Sequence, residues 1–259
     1  MTFAARRRSS SRTSAVVGVR FNGVMADFAT FDSRGYRTVD VRRGYGEWAA
    51  VYESSIEQAM DIAVLEELLE VPWSEIRHAV DLGCGSGGTG AWLQQKGVES
   101  IDGVDLTPEM LALARSRDVY SRLIEADVSS TGLDAEHYDL VTTCLVDEHL
   151  ADLQPLYREA ARLARTGATY VLVGLHPHFI MASGMPTHFD DPSGEPVAIE
   201  THVHLLSEHI EAGFAADWRL VEMREQIVDD ALLRRKPKWK PLRGHPLSFG
   251  LVWRSEPDI

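Results

Sequence analysis

Two aspartates and a run of glycines carry the most legible chemistry in this chain. In Ala79-Val80-Asp81-Leu82-Gly83-Cys84-Gly85-Ser86-Gly87-Gly88 an apolar, strand-like run ends in an acid and then in glycines. Glycine, lacking Cβ, lets the backbone approach a ligand closely and reach positive φ, as a nucleotide-binding turn ahead of a helix requires. About 20 residues on, Asp105 closes the next apolar run, where a carboxylate can accept hydrogen bonds from both hydroxyls of a ribose. Together these features read as an adenosine site. The spacing of Gly83, Gly85, Gly87 and Gly88 also fits a dinucleotide turn, in which a helix N-terminus faces a pyrophosphate. Asp81 weighs against that ligand, because a carboxylate just before the turn repels pyrophosphate and suits a ligand carrying an ammonium.

A second set of residues could move protons or hold a substrate. His149, in Leu145-Val146-Asp147-Glu148-His149-Leu150, follows an apolar run at the point where ligands gather in parallel sheets. An ordinary imidazole pKa near ~6.5 suits a base at neutral pH, and Glu148 is the alternate. Histidines recur at His176, His178 and His188, and again at His202, His204 and His209. The first three are expected to line a substrate pocket; the simpler reading makes several of them polar members of a loop and a helix. His176 and His178 could also supply two metal ligands, but no nearby cysteine or second pair completes a set, so no metal is expected. Tyr45, Trp48 and Tyr52 recur at helical steps, either as core aromatics or as the wall of a binding site. The basic stretch Arg234, Arg235, Lys236, Lys238, Lys240 and Arg243 is a solvated loop by default, and would favour an anionic substrate if it folded over the entrance.

These residues need a frame. Apolar runs at His78 to Leu82, Ser100 to Val104, Arg122 to Glu125, Tyr138 to Cys144, Ala168 to Leu175, Trp218 to Val228 and Leu247 to Trp253 alternate with helical patterns. Pro108 after Thr107 opens one helix, and Pro155 opens another that should stop at Gly167. Val203, Leu206, Ile210 and Phe214 share a face of a third, and Ile56 to Leu69 reads as a helix through Met60, Val64 and Leu68. The expected fold is α/β, a three-layer, Rossmann-like sheet of seven mostly parallel strands with helices on both faces. Residues 1–15, basic and serine-rich, are expected to be disordered. Residues 16–77 should form an aromatic lid with helices, and 78–259 the core, with cap insertions at about 177–200 and 231–246. The first insertion reads as a turn at Asp191-Pro192-Ser193-Gly194 joining two extended arms.

Composition narrows the function classes. With 259 residues, 44% hydrophobic and 25% charged, a substantial core is available. A net charge of -13 disfavours nucleic acid, whose binders present a basic face. No apolar stretch approaches the ~20 residues that cross a bilayer, so no membrane partner is expected. Two cysteines, Cys84 and Cys144, without a spaced framework suit a reducing, cytoplasmic setting. A monomer and a homo-oligomer both stay open.

From about Tyr45 to Leu175 the chain resembles the class I S-adenosylmethionine-dependent methyltransferases, in particular the small-molecule branch that includes ubiquinone-biosynthesis-like enzymes. The resemblance implies S-adenosyl-L-methionine as cofactor, S-adenosyl-L-homocysteine as product, and methyl transfer to O, N or C of a small-molecule acceptor. It implies that Asp81, Gly83, Cys84, Gly85 and Gly87 wrap the methionine moiety and that Asp105, with Leu106, holds the ribose. Asp127 of Ala126-Asp127-Val128 would accept from the adenine amino group beside Val128. Tyr138-Asp139-Leu140-Val141 resembles the fourth strand, whose end, at Cys144, borders the donor methyl; Asp139 there is structural. Gly44 to Glu53 resembles the aromatic entry helix, with Tyr45 on the cofactor and Trp48 and Tyr52 towards the substrate. Arg165-Thr166-Gly167-Ala168 stands where Arg-Pro-Gly-Gly is usual, and the sequence after the fifth strand is distinctive, so the acceptor does not carry over. The rival readings are a cofactor-binding member of the fold with another reaction, such as a cyclisation, a non-enzymatic cofactor-binding protein, and a nicotinamide oxidoreductase.

Overall fold

A computed structural model describes residues 26–55 and 60–256. The basic segment at 1–15 and part of the expected helix at 56–69 therefore lie outside the described residues. In chain order the elements are β1 (Arg37–Val39), α1 (Val41–Trp48), α2 (Tyr52–Ser55), α3 (Ile62–Glu67), β2 (His78–Leu82), α4 (Gly88–Gln95), β3 (Ser100–Asp105), α5 (Pro108–Ser116) and β4 (Arg122–Glu125). There follow β5 (Tyr138–Cys144), α6 (Gln154–Leu163), β6 (Ala164–Leu175), α7 (Pro177–Ser183), β7 (His188–Asp190), β8 (Pro196–Ile199), α8 (Leu206–Ala215), β9 (Trp218–Ile227), α9 (Asp230–Arg235) and β10 (Pro246–Ser255).

Seven strands form the main sheet in the order β4-β3-β2-β5-β6-β10-β9. Neighbours from β4 to β6 are parallel, and β10 runs antiparallel to both β6 and β9. Both faces are covered, and the period-two alternation of each strand sorts its side chains between them. Val80, Leu82, Val141, Leu172, Phe249, Leu251 and Trp253 pack with Leu156, Tyr157 and Ala160 of α6 and Ala212 of α8. Ala79, Ile101, Leu140, Val171, Val173 and Val252 pack on the opposite side with Val64 and Leu65 of α3 and Trp92 and Leu93 of α4. Strand order reverses at β2, so a crevice opens at the carboxyl ends of β2 and β5, where ligands bind in open α/β sheets.

A second sheet of three strands, β1-β8-β7, was not expected from the sequence. The insertion after β6 begins with the helix α7, then folds as an antiparallel hairpin, β7 against β8. Its Asp191 side chain accepts from Ser193 N–H at 2.8 Å and Glu195 N–H at 3.2 Å, which closes the turn. β1 joins β8 in parallel, and α1 packs on this sheet through Val39, Trp48, Phe189, Val197 and Ile199. The Trp48 and Phe189 rings stack with centroids 5.8 Å apart, a contact worth about 0.5–1.5 kcal/mol beyond the area buried. The small sheet thereby holds the aromatic segment over the crevice.

Several boundaries differ from the sequence reading. α6 stops at Leu163 rather than Gly167, because Ala164 is already extended and pairs with Tyr138. Tyr45 and Trp48 share α1, but Tyr52 opens α2, a separate short helix. α3 starts at Ile62, capped by Asp61, so Met60 precedes it. Val203 precedes α8, and Phe214 is exposed at its surface. The basic stretch is not an open loop: it starts in the last turn of α9 and runs on as a 3-10 helix over Pro237–Leu242, with Trp239 buried against Phe179 of α7. Among the described residues no helix is long and apolar enough to cross a membrane.

Candidate functional site

A cavity of about 300 Å³ opens at the carboxyl ends of β2, β3 and β5, beneath α1 and α2. Its floor is the turn after β2. Gly83 and Gly85 take φ of +76° and +51°, in the left-handed region that glycine reaches without strain. A Cβ on Gly83 would lie 2.3 Å from Val146 Cγ2, so this turn and the one after β5 pack as closely as a glycine allows. Asp105, the last residue of β3, reaches back across the floor: Oδ2 accepts from Gly85 N–H at 2.9 Å and Oδ1 from Thr107 N–H at 2.8 Å. Burial raises its pKa, and these backbone donors oppose the shift by favouring the ionised form. Leu106, Asp127 and Val128 line the same side, with Asp127 Oδ1 held by Ser129 N–H at 2.8 Å. Cys84 and Cys144 also line the cavity, and burial pushes both thiols well up.

The other end of the cavity is built on the turn after β5. Leu145 takes φ of +57°, turning the chain into a single 3-10 turn over Asp147–His149. His149 Nδ1 lies 2.7 Å from the carbonyl oxygen of Glu200, which only accepts, so Nδ1 carries the hydrogen. Nε2 is then the acceptor for the Tyr45 hydroxyl, 2.9 Å away. Tyr45 stacks on Trp48 at 5.8 Å, and Trp48 meets Tyr52 edge-on at 4.8 Å, so three rings wall the space above this pair. Burial holds the Tyr45 and Tyr52 phenols well above their usual pKa. Glu148 lines the cavity with its side chain 4% exposed, and its Oε1 is 3.9 Å from His149 Nε2. Burial pushes Glu148 up to about 7. Its neighbour Asp147, on the protein side, is also pushed up to about 7 by burial, with Oδ2 3.3 Å from His209 Nε2.

Residues 80–172 match the family described as methyltransferase domain. That segment, from β2 to β6, is what the chain shares with methyltransferase domains. Trans-aconitate 2-methyltransferase of Rhizobium leguminosarum bv. trifolii is 29% identical over 173 residues, 66% of this chain and 58% of that protein. Ajmaline N-methyltransferase of Rauvolfia serpentina is 30% identical over 135 residues, 49% of this chain and 46% of that protein. The chain thus spans about half the length of the curated relatives it matches. A crystal structure of an S-adenosylmethionine dependent methyltransferase from Mesorhizobium loti superposes with a TM-score of 0.57 at 22% identity, covering 74% of this chain and 96% of the other. The [4+2]-cyclase SpnF shares the fold at a TM-score of 0.58 and 14% identity, covering 87% of this chain and all of the other (100%).

The fold gathers Tyr45, Trp48, Tyr52, Gly83, Cys84, Gly85, Asp105, Leu106, Asp127, Val128, Cys144, Glu148 and His149 around this cavity. It leaves others outside. Asp81, expected to face the ligand's ammonium, does not line the cavity: Tyr120 donates to its Oδ2 at 2.8 Å and Thr142 to its Oδ1 at 3.0 Å. Burial pushes Asp81 up to about 6. Gly87 sits behind the floor as the N-cap of α4, with φ of +89°. His176 caps α7 and turns its ring to Glu225 of β9, 2.9 Å away. His178 pairs with His245 at 3.1 Å, and His188 with the carbonyl of Pro186 at 2.9 Å. Their chain neighbours Leu175 and Thr187 line the cavity instead. Of the basic stretch, none of the six cations is at the cavity; Arg243 pairs with Asp230 at 2.8 Å. Among the described residues no group of three or more His, Cys, Asp or Glu could hold a metal ion.

Sequence reading missed Asp61, which lines the cavity and caps α3 through a 2.8 Å bond from Ile62 N–H. Burial raises its pKa. The signal was present: an aspartate just before an apolar helical pattern is a favoured N-cap. It was hidden because the helix was read as running through it.

Proposed function

We propose that the chain transfers the methyl group of S-adenosylmethionine to a nucleophilic atom of a small molecule, leaving S-adenosylhomocysteine. The observation that carries this reading is a single cavity with a ribose-type acid and glycine turn at one end and a hydrogen-bonded Tyr45–His149 pair at the other. The residues fit the cofactor's chemistry. Asp105 is a partly buried carboxylate whose ionised form the backbone supports, suited to ribose hydroxyls. Asp61 suits the ammonium of the methionine part, a role we move to it from Asp81. Leu106, Asp127 and Val128 suit an adenine ring and its amino group, beside the Gly83 to Gly85 turn.

Bound there, S-adenosylmethionine supplies an electrophilic methyl group on a positively charged sulfur. The chain's own task is to hold a nucleophile in line and remove its proton. Tyr45 Oη takes the acceptor's proton as its own hydroxyl proton passes to His149 Nε2, and the Glu200 carbonyl keeps the imidazole oriented for that transfer. Glu148 then faces a protonated His149 across 3.9 Å and favours it. Trp48 and Tyr52 exclude water above the pair.

The relatives' names include an O-methyltransferase of malonyl-[acyl-carrier protein] and an N-methyltransferase, so they leave the acceptor atom open. We assign the chain to the cytoplasm on its two free thiols, and set nucleic acid aside as a partner on its charge of -13. The test is incubation with methyl-labelled S-adenosylmethionine and a metabolite extract, followed by mass spectrometry. A labelled small molecule is expected. Tight cofactor binding with no labelled product from any extract would point to the fold's other chemistries and reject methyl transfer.

A further inference from the structure

The cavity's charges have one sign. Its charged lining side chains are Asp61, Asp105, Asp127 and Glu148, and among the described residues no lysine or arginine lines it. The first three already serve backbone or hydroxyl donors: Ile62 N–H on Asp61, Gly85 and Thr107 N–H on Asp105, Ser129 on Asp127. They also belong to the end of the cavity assigned to the cofactor. Glu148 belongs to the other end. It lines the cavity, its side chain is 4% exposed, and its Oε2 has no hydrogen-bond partner among the described residues. A buried carboxyl in that state is costly unless something supplies a donor or a positive charge.

The surroundings of Glu148 say what could. The Tyr45, Trp48 and Tyr52 rings stand together, with centroids 4.8 to 6.1 Å apart, and the Tyr45 hydroxyl and Glu148 Oε1 lie 2.9 and 3.9 Å from the same nitrogen, His149 Nε2. Aromatic faces attract a cation, and do so more strongly when water is excluded. A carboxylate acceptor, in contrast, would meet like charge from Glu148 with no lysine or arginine side chain to receive it, at close range in a low-dielectric site. The basic stretch that could have served an anion packs away from the cavity.

Building on the methyl-transfer reading, we infer that the acceptor is an apolar amine, held as its ammonium form by Glu148 and the Tyr45, Trp48 and Tyr52 rings, and methylated on nitrogen. The ammonium loses one proton through the Tyr45 hydroxyl to His149 Nε2, which frees the nitrogen lone pair. That pair forms the bond to the methyl carbon as the carbon–sulfur bond breaks, its electrons staying on sulfur. The positive charge passes from sulfur to the new methylammonium, so atoms and charge balance.

The test uses the full chain and calorimetry. Titration with S-adenosylhomocysteine comes first; no binding there would sink the cofactor reading itself. The chain saturated with S-adenosylhomocysteine is then titrated with arylalkylamines of graded chain length, 2-phenylethylamine among them, and with their isosteric carboxylates such as 3-phenylpropionate. At least one amine is expected to bind roughly tenfold or more tighter than its carboxylate partner. Glu148→Gln is expected to remove most of that preference while still binding S-adenosylhomocysteine, and labelled S-adenosylmethionine should yield an N-methyl product. If S-adenosylhomocysteine binds but every amine fails to bind, or the carboxylates bind as tightly as the amines, the inference is overturned. The comparison of amine with carboxylate on the parent chain needs no variant to fold.

Discussion

Asp105→Ala separates binding from stability. In the folded chain this carboxylate is partly buried, and that burial raises its pKa, so its charge is held at a cost. Against that cost stand the bonds from Gly85 and Thr107 N–H at 2.9 and 2.8 Å. Removing the side chain frees both donors, but they border a cavity that water can enter, so their desolvation is partly relieved at the same moment the buried charge disappears. The two effects oppose, and the ligand-free protein should keep a thermal midpoint close to the parent's. Binding has no such compensation. Charge-assisted hydrogen bonds to a ribose are worth about 1.5–3 kcal/mol, so S-adenosylhomocysteine affinity should fall roughly tenfold to a hundredfold. The assay is calorimetric titration of parent and variant, with circular dichroism and thermal melts as the control. A folded variant with parental affinity would remove Asp105 from the site, and with it the argument that this end of the cavity takes the nucleoside.

Tyr45→Phe keeps the ring that stacks on Trp48 but deletes the hydroxyl on His149 Nε2, so turnover should fall about a hundredfold to ten-thousandfold while S-adenosylhomocysteine affinity stays near parental; unchanged turnover across a pH series would return Tyr45 to packing. Gly83→Ala places a Cβ 2.3 Å from Val146 Cγ2 at a φ of +76°, and should lower unfolding free energy by about 1–3 kcal/mol or more and weaken cofactor binding, read by denaturant titration and calorimetry. The third concerns Asp147 and Glu148, both pushed up to about 7 by burial. Unfolded, they release protons near ~4; between there and about 7 the folded chain binds more protons, so their contribution to stability falls as pH rises through this window. Glu148→Gln should therefore gain stability relative to the parent as pH rises from about 4 to 7, and two parallel pH profiles would refute the assignment.

The main sheet was readable because its central strands, β2, β5, β6 and β10, are buried along most of their length and show as apolar runs bounded by helix caps or turns. β2, β4 and β5 begin and end where those runs do. The small sheet was not readable for the same physical reason in reverse. β1 is three residues long with only Val39 buried, and it acquires its partner, β8, from a segment far along the chain. No local periodicity encodes such a pairing, yet it seats α1 over the cavity. His149 was found because its place after β5 is local information. Its hydrogen bonds to Tyr45 and the Glu200 carbonyl were not, since both partners come from the small-sheet region.

Asp81 and Asp105 show how far position along a strand decides a role. Both are acids at strand ends beside one glycine turn, and the sequence reading has both meet the ligand, Asp81 at its ammonium and Asp105 at its ribose. Asp81, however, is followed by Leu82 within β2 and lies between β3 and β5, with Gly103 on one side and Thr142 on the other. A side chain at that place is enclosed laterally, and Thr142 and Tyr120 satisfy it. Asp105 is the final residue of β3, where sheet pairing stops and the carboxylate can turn back over the glycines. The residue one step inside the sheet becomes a structural acid bonded to its neighbours. The residue at the edge keeps its carboxylate on the cavity wall, where a bound ligand can meet it. If this distinction is right, Asp81→Asn should act mainly on stability, through Tyr120 and Thr142, and Asp105→Ala mainly on affinity; a variant pair with the two effects exchanged would mean that lateral enclosure does not govern which acid meets the ligand.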